Sequence, residues 1–172
     1  MARGGNSIIK GIEIDEVIGL LNRAYADEWL AYYQYYTESK VIKGIMKDAV
    51  VVELDQHAMD ELRHAGLIAN RIVQLGGTPL LDPREWFEQT HCGYDAPTNF
   101  DVVKILEDAI KGEQCAIGIY SQLSEITQGK DVVTYDMVNQ ILADEVEHEE
   151  DLVALHEDIT AFIQQIKDTM EL

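Results

Sequence analysis

Apolar residues recur along this chain at spacings of three and four, the period of one helix face. A first run carries Ile14, Val17, Leu21, Tyr25, Tyr32, Tyr35 and Ile42; a second carries Val50, Leu54, Ile68, Ile72 and Leu75. A third carries Val102, Leu106, Ile110, Ile117 and Tyr120, and a fourth Val138, Ile141, Leu152, Leu155, Ile159, Phe162 and Ile166. Gly44 separates the first two runs, Gly76-Gly77-Thr78-Pro79 ends the second, Pro97-Thr98-Asn99 precedes the third, and Gly129 ends it. These marks predict helices over about 13–43, 47–75, 99–128 and 131–168, with Thr98 or Asn99 as N-cap of the third and Gly129 at its C′ position. Runs alternating with period two are scarce, so no sheet is expected. Four amphipathic helices, each ~45 Å long, predict an all-α four-helix bundle forming one domain over 1–172.

The connections differ. The first and last are short, which makes helices one and two, and three and four, antiparallel hairpins. The middle one, 76–98, has 23 residues, far beyond the usual helix–helix loop of about 2–8. Extended at ~3.3 Å per residue it reaches roughly 75 Å, enough to run the length of the bundle and set helices two and three parallel. Within this crossover, Pro83 to Gln89 predicts a short helix with Asp82 as N-cap and Pro83 at the first helical position. Trp86 is the residue expected to pack the crossover down.

Every stripe is interrupted by chemistry. Glu28, Glu61, His64, Glu113, Glu145 and His148 fall on core-facing positions. A buried carboxylate needs a partner or a metal. Glu28 lies 16 residues before Gly44 and Glu61 lies 17 after it; Glu113 lies 16 before Gly129 and Glu145 lies 16 after it. In antiparallel hairpins these equal distances put all four glutamates at one depth, about 24–26 Å from the turns. The chain also repeats itself: Asp60-Glu61-Leu62-Arg63-His64 matches Asp144-Glu145-Val146-Glu147-His148, and Glu28 and Glu113 are 85 apart. Each half supplies one lone Glu and one Glu-x-x-His, whose two side chains share a helix face. Four carboxylates balance two divalent cations, and mixed carboxylate–imidazole ligation suits iron or manganese, with zinc a further occupant. Six polar side chains satisfied by hydrogen bonds and ion pairs alone are the alternative; matched depth and duplication favour metal.

Several neighbours carry weaker signals. Tyr35, two turns after Glu28, suits either electron donation and hydrogen bonding at the site or plain core packing. Asp60 and Asp144 can orient a histidine on the facing helix or serve as solvated acids. His57, one turn before Glu61, suits contact with a ligand or a role in iron entry; a hydrogen-bonded core histidine is the simpler expectation. His91 and His156 read as surface residues. The acidic run Glu147, Glu149, Glu150, Asp151 reads as a solvated face.

Composition sharpens this. The 172 residues carry 13 Lys+Arg and 32 Asp+Glu, a net charge of −19, which opposes binding to nucleic acid or anionic membrane and suits a cationic partner. Arg3 and Lys10 are the only basic residues before Arg23, so DNA binding is not expected. Apolar residues at 47% suffice for a core, which excludes a disordered acidic chain. No apolar run is long enough to span a membrane. Residues 1–7 are not followed by the apolar stretch of a signal peptide, so a cytoplasmic protein is expected.

At these residues the sequence resembles the ferritin-like superfamily over nearly its whole length. Glu28-Trp29-Leu30-Ala31-Tyr32-Tyr33-Gln34-Tyr35 is similar to the first-helix motif of bacterioferritins, and Ile141 to Asp151 to their fourth-helix motif. Bacterioferritins carry a haem-ligating methionine directly after the second-helix glutamate; Leu62 stands there, and Met59 does not match, so no haem is expected. Helix four is expected to run nearly to Leu172, leaving little room for the fifth helix of 24-subunit ferritins. The combination resembles the Dps-like (thioferritin) miniferritins, which join a bacterioferritin-type site within the subunit to a dodecameric shell. The resemblance implies two iron ions per subunit at Glu28, Glu61, His64, Glu113, Glu145 and His148. It implies oxidation of Fe(II) by peroxide or O2, iron storage, and protection against oxidative stress. It also implies a disulfide between Cys92 in the crossover and Cys115, where the residues alone favour two free thiols in the cytoplasm. Such a bond closes a loop of about 24 residues, worth roughly 3 kcal/mol in the chain-entropy model. The competing functions are a soluble di-metal peroxidase or manganese-catalase-like enzyme without mineral, and a shell without catalysis.

Overall fold

The computed structural model describes residues 4–170. After a single 3-10 turn at Gly4–Ile8 come α1 (Ile14–Val41), α2 (Lys47–Leu75), α3 (Pro83–Gln89), α4 (Val102–Thr127) and α5 (Val132–Met170). The described residues contain no strand; one isolated parallel bridge joins Lys43 to Asp101. The architecture is a four-helix bundle with a short additional helix in the crossover.

Two apolar clusters build the core, one at each end. Val50 and Leu54 open α2 and pack with Val102, Ile105 and Leu106 from the start of α4, and with Leu152 and Ile159 from late α5. At the other end Val17, Leu21, Ile68, Ile72, Tyr120, Val138 and Ile141 meet. Each fully buried Leu or Ile contributes ~1.5–3 kcal/mol relative to exposure. Because α2 and α4 both begin in the first cluster, they run parallel, and the crossover returns the chain along the bundle. Between the clusters lies a polar layer, at the depth where the stripes are interrupted.

The crossover is fastened at several points. Asp82 caps α3 by accepting from Arg84 N at 3.0 Å. Trp86 stacks on Trp29 of α1, ring centroids 5.0 Å apart and 5° from parallel. Asn22 accepts from Leu80 N at 3.0 Å and donates to Thr78 O at 3.2 Å. Asp27 accepts from His91 N at 2.7 Å and from Cys92 N at 3.1 Å, while its other oxygen pairs with His91 Nδ1 at 2.7 Å. Cys92 and Cys115 are joined in a disulfide, tying the crossover to α4.

Three local expectations change. The helix expected from 99 begins at Val102, and Asp101 caps it by accepting from Val103 N at 3.0 Å, in place of Thr98 or Asn99. The cause is non-local: Lys43 N donates to Phe100 O at 2.7 Å and Val102 N to Lys43 O at 2.8 Å, which holds 100–101 extended against the α1–α2 turn. Gly44 permits that approach, since its φ is +121° and an added Cβ would stand 3.0 Å from Val102 Cγ1. Phe162 and Ile166, placed on the core stripe by spacing, are exposed, because α5 extends past the other helices after Ile159. His91 and His156 are partly covered rather than surface residues, His91 through its pairing with Asp27. Arg3 lies outside the described residues. No helix among the described residues is long and apolar enough to cross a membrane.

Candidate metal centre

The helices bring all six sequence-selected side chains together in the polar layer. Glu28 comes from α1, Glu61 and His64 from α2, Glu113 from α4, and Glu145 and His148 from α5. None is more than 4% exposed. They form two groups of four whose donor atoms lie within 4.8 Å of one another: Glu28, Glu61, His64 and Glu145 in one, and Glu61, Glu113, Glu145 and His148 in the other. Glu61 and Glu145 belong to both, so two cation positions would share two bridging carboxylates.

The imidazoles face inward through Nδ1. His64 Nδ1 lies 3.1 Å from Glu145 Oε1 and 3.4 Å from both Glu28 Oε2 and Glu61 Oε2. His148 Nδ1 lies 3.3 Å from Glu145 Oε2, 3.5 Å from Glu61 Oε1 and 3.8 Å from Glu113 Oε1. One ring nitrogen cannot serve three carboxylate oxygens by hydrogen bonding. Accordingly Glu28 Oε2, both oxygens of Glu145, and His148 Nδ1 are buried without a hydrogen-bond partner. Each such orphan costs about 1–3 kcal/mol. A pair of divalent cations would ligate these orphaned atoms, so the donor set fits metal better than a network of hydrogen bonds.

The outward nitrogens find carboxylates across the helix pair. His64 Nε2 lies 3.1 Å from Asp144 Oδ2, a contact that turns Nδ1 toward the centre. The matching contact, His148 Nε2 to Asp60 Oδ2, is looser at 3.7 Å. Arg63 spans the two acids, at 3.0 Å from Asp60 Oδ1 and 2.9 Å from Asp144 Oδ2. Asp144→Asn is therefore expected to lower metal affinity by roughly 10–100-fold with the fold intact; a metal titration of the variant checks this, and unchanged affinity would remove Asp144 from the site.

Tyr35 donates to Glu113 Oε1. Tyr120, not singled out in the sequence, donates to Glu28 Oε1. The repeat contains the signal: Tyr120 follows Glu113 by seven as Tyr35 follows Glu28, and both pairs are 85 apart. Each lone glutamate is thus held by the tyrosine of the opposite hairpin. Tyr120→Phe should weaken metal binding several-fold while leaving the melting temperature nearly unchanged, and Tyr35→Phe should match it; metal titrations compared with thermal melts read the difference.

Electrostatics show how the centre behaves without cations. Burial, reinforced by the Glu61 charge, pushes the carboxyls of Glu28 and Glu113 well above the usual carboxylate range. Burial also works against the charge of Glu61, but contacts to His148 and His64 override it and hold Glu61 low. Burial disfavours a charged His148, yet Glu145 and Glu61 push it up to about 11, and His64 is raised by Glu145, Glu28 and Glu61 against the same penalty. His57 is pulled down to about 4 by burial and by its stacking neighbour His148.

A cavity of about 490 Å³ reaches the centre from the crossover side. Glu28, Tyr35, Glu61 and Glu113 form its inner wall and Cys92, Cys115, Lys104 and Lys111 its outer part. The disulfide thus lines the approach to the carboxylates.

The model of the ferritin-like domain matches residues 18–162. A curated relative named DNA protection during starvation protein, from Pyrococcus furiosus, is 32% identical over 143 residues, 81% of this chain and 76% of its own. A solved structure of a dodecameric thioferritin, the bacterioferritin-related protein from Bacteroides fragilis, has a TM-score of 0.89 at 42% identity over 98% of both chains. A structure of a ferritin-like, diiron-carboxylate protein from Bacillus anthracis has a TM-score of 0.71 at 26% identity, covering 83% of this chain and 96% of that one.

Proposed function

The chain belongs to the ferritin-like domain family, and from that premise we propose that it oxidises Fe(II) at the paired carboxylate centre and stores the product inside a dodecameric cage. The observation that carries this reading is the pair of four-residue groups sharing Glu61 and Glu145. Glu28 and His64 complete the position for one substrate Fe(II), and Glu113 and His148 that for the other. Manganese or zinc could occupy the same donors.

Two Fe(II) held side by side can each give up one electron to the same oxidant. One H2O2 with two electrons and two protons yields two waters, so no one-electron step releases hydroxyl radical. With O2, the same two electrons and two protons yield H2O2. The chain's own work is positional. Glu61 and Glu145 hold both ions, Asp144 fixes the His64 ring, and Tyr35 and Tyr120 hold the outer oxygens of Glu113 and Glu28. The crossover-side cavity gives the oxidant a path past the disulfide. The net charge of −19 favours accumulation of iron and disfavours DNA.

Protons occupy the centre when cations do not, since Glu28, Glu113, His64 and His148 all hold theirs above the ordinary range. Iron must displace them. Loading therefore releases protons, and the apparent affinity falls as pH falls. Calorimetric titration in buffers of different ionisation enthalpy measures the release; uptake without proton release contradicts the account.

The cage is tested by solution mass and retained iron. Twelve copies of the 19.4 kDa chain give about 233 kDa. That mass, with iron co-eluting after peroxide-driven oxidation of excess Fe(II), supports storage. A monomer to tetramer that turns over peroxide without retaining iron replaces storage with a di-metal enzyme.

A further inference from the structure

Gln34 and Glu38 of α1 form a polar pair that the paired centre does not use. Glu38 is 1% exposed. Its Oε1 accepts from Gln34 Nε2 at 3.1 Å, and its Oε2 is buried without a hydrogen-bond partner. An acid so placed costs stability rather than adding it. Burial pushes its carboxyl up to about 7, so below neutral pH the pair is largely uncharged. Gln34 lines the same cavity as Tyr35, Glu28, Glu61 and Glu113. Its amide nitrogen is committed to Glu38, which leaves the carbonyl oxygen Oε1 as the atom it offers to the cavity.

We propose that Gln34, held in place by Glu38, is a specificity-determining residue that receives H2O2 in the crossover-side cavity and favours it over O2. Hydrogen peroxide carries an O–H donor at each end, and O2 carries none. A pocket that hydrogen-bonds a substrate O–H discriminates against a competitor lacking it. The rest of the lining offers less. Ala31, Ala109, Gly112 and Ala116 present no side-chain acceptor. Asp108 is taken up by Lys104 and Lys111, and Asp27 by His91 and the N–H of Cys92. Gln34 is also neutral, so it receives the oxidant without competing for iron. Glu38 is a positioning residue: it touches Gln34 and fixes which amide atom faces the cavity.

The assignment rests on the proposed oxidation of Fe(II) at the paired centre, so the test separates the two. The assembled protein, loaded anaerobically with Fe(II), is mixed in stopped flow with sub-saturating H2O2 or with O2, as wild type and as Gln34→Met, Glu38→Leu and Glu38→Gln. Gln34 is only partly buried and Glu38 leaves an oxygen unsatisfied, so all three variants are expected to fold. Gln34→Met and Glu38→Leu should lower the second-order rate with H2O2 by roughly 3–10-fold, the loss of one hydrogen bond, and leave the rate with O2 unchanged. Glu38→Gln retains an acceptor oxygen for Gln34 and should stay near wild type with both oxidants. Equal losses with both oxidants are those of a merely structural role and overturn the proposal, as does an unchanged peroxide rate in Gln34→Met. An unchanged peroxide rate in Glu38→Leu overturns the positioning role. Wild-type protein that oxidises bound Fe(II) with neither oxidant overturns the reading of the paired centre itself.

Discussion

Glu61→Gln is expected to slow Fe(II) oxidation by more than about 100-fold, beyond the loss typical of residues that only support a ligand. Glu61 belongs to both four-residue groups, and its oxygens face both His64 and His148. Glu28 and Glu113 each belong to only one of the two. Glu28→Gln and Glu113→Gln should therefore weaken one position and slow oxidation less than Glu61→Gln. Stopped-flow oxidation on the three variants, each with its helicity checked, measures the order. A loss below about threefold for Glu61→Gln, or equal losses in all three, would contradict shared ligation.

The largest stability effect is expected at Asp131→Asn. Asp131 is fully buried and accepts from Arg71 Nη2 at 2.8 Å through both oxygens, with the Arg71 side chain 6% exposed. It also caps α5 through Thr134 N at 3.1 Å, and Arg71 Nε donates to Thr134 Oγ1 at 2.8 Å. The pair links the end of α2 to the start of α5, one hairpin to the other. Removing one charge strands the buried guanidinium, a loss of roughly 3–5 kcal/mol. For a chain of this size that lowers Tm by roughly 6–20 °C. The double variant Arg71→Met/Asp131→Asn should recover part of the loss, because the stranded charge is gone. Denaturant unfolding measures both, and a single-variant loss below 1 kcal/mol would show that the pair does not hold the hairpins together.

Much of the fold was legible because its signals are local or periodic. The stripes, Gly44, Gly129 and the length of the crossover indicate a bundle with parallel second and third long helices. The six polar interruptions were legible because depth is a count of residues from a turn and because the motif occurs twice. Tyr120 shares the same 85-residue offset, but a tyrosine on an apolar stripe reads as core until its partner is known. The start of α4 departs from the periodic expectation because Lys43, far away in sequence, holds 100–101 extended. Phe162 and Ile166 keep the period but not the burial, since periodicity does not say where neighbouring helices stop. Asp151 read as part of a solvated acidic face and Glu53 carried no signal, yet both are half-buried. Only three-dimensional packing places them against His57.

The central claim is that two Fe(II) are oxidised together at one centre in each subunit. The most direct measurement is a titration of the anaerobic Fe(II)-loaded protein with H2O2, followed by absorbance, with a spin trap present. The account expects rapid oxidation to saturate at two Fe(II) per subunit, with two Fe(II) consumed per H2O2 and no hydroxyl-radical adduct. Saturation at one Fe(II) per subunit, or one Fe(II) consumed per H2O2 with radical adduct formed, would contradict it.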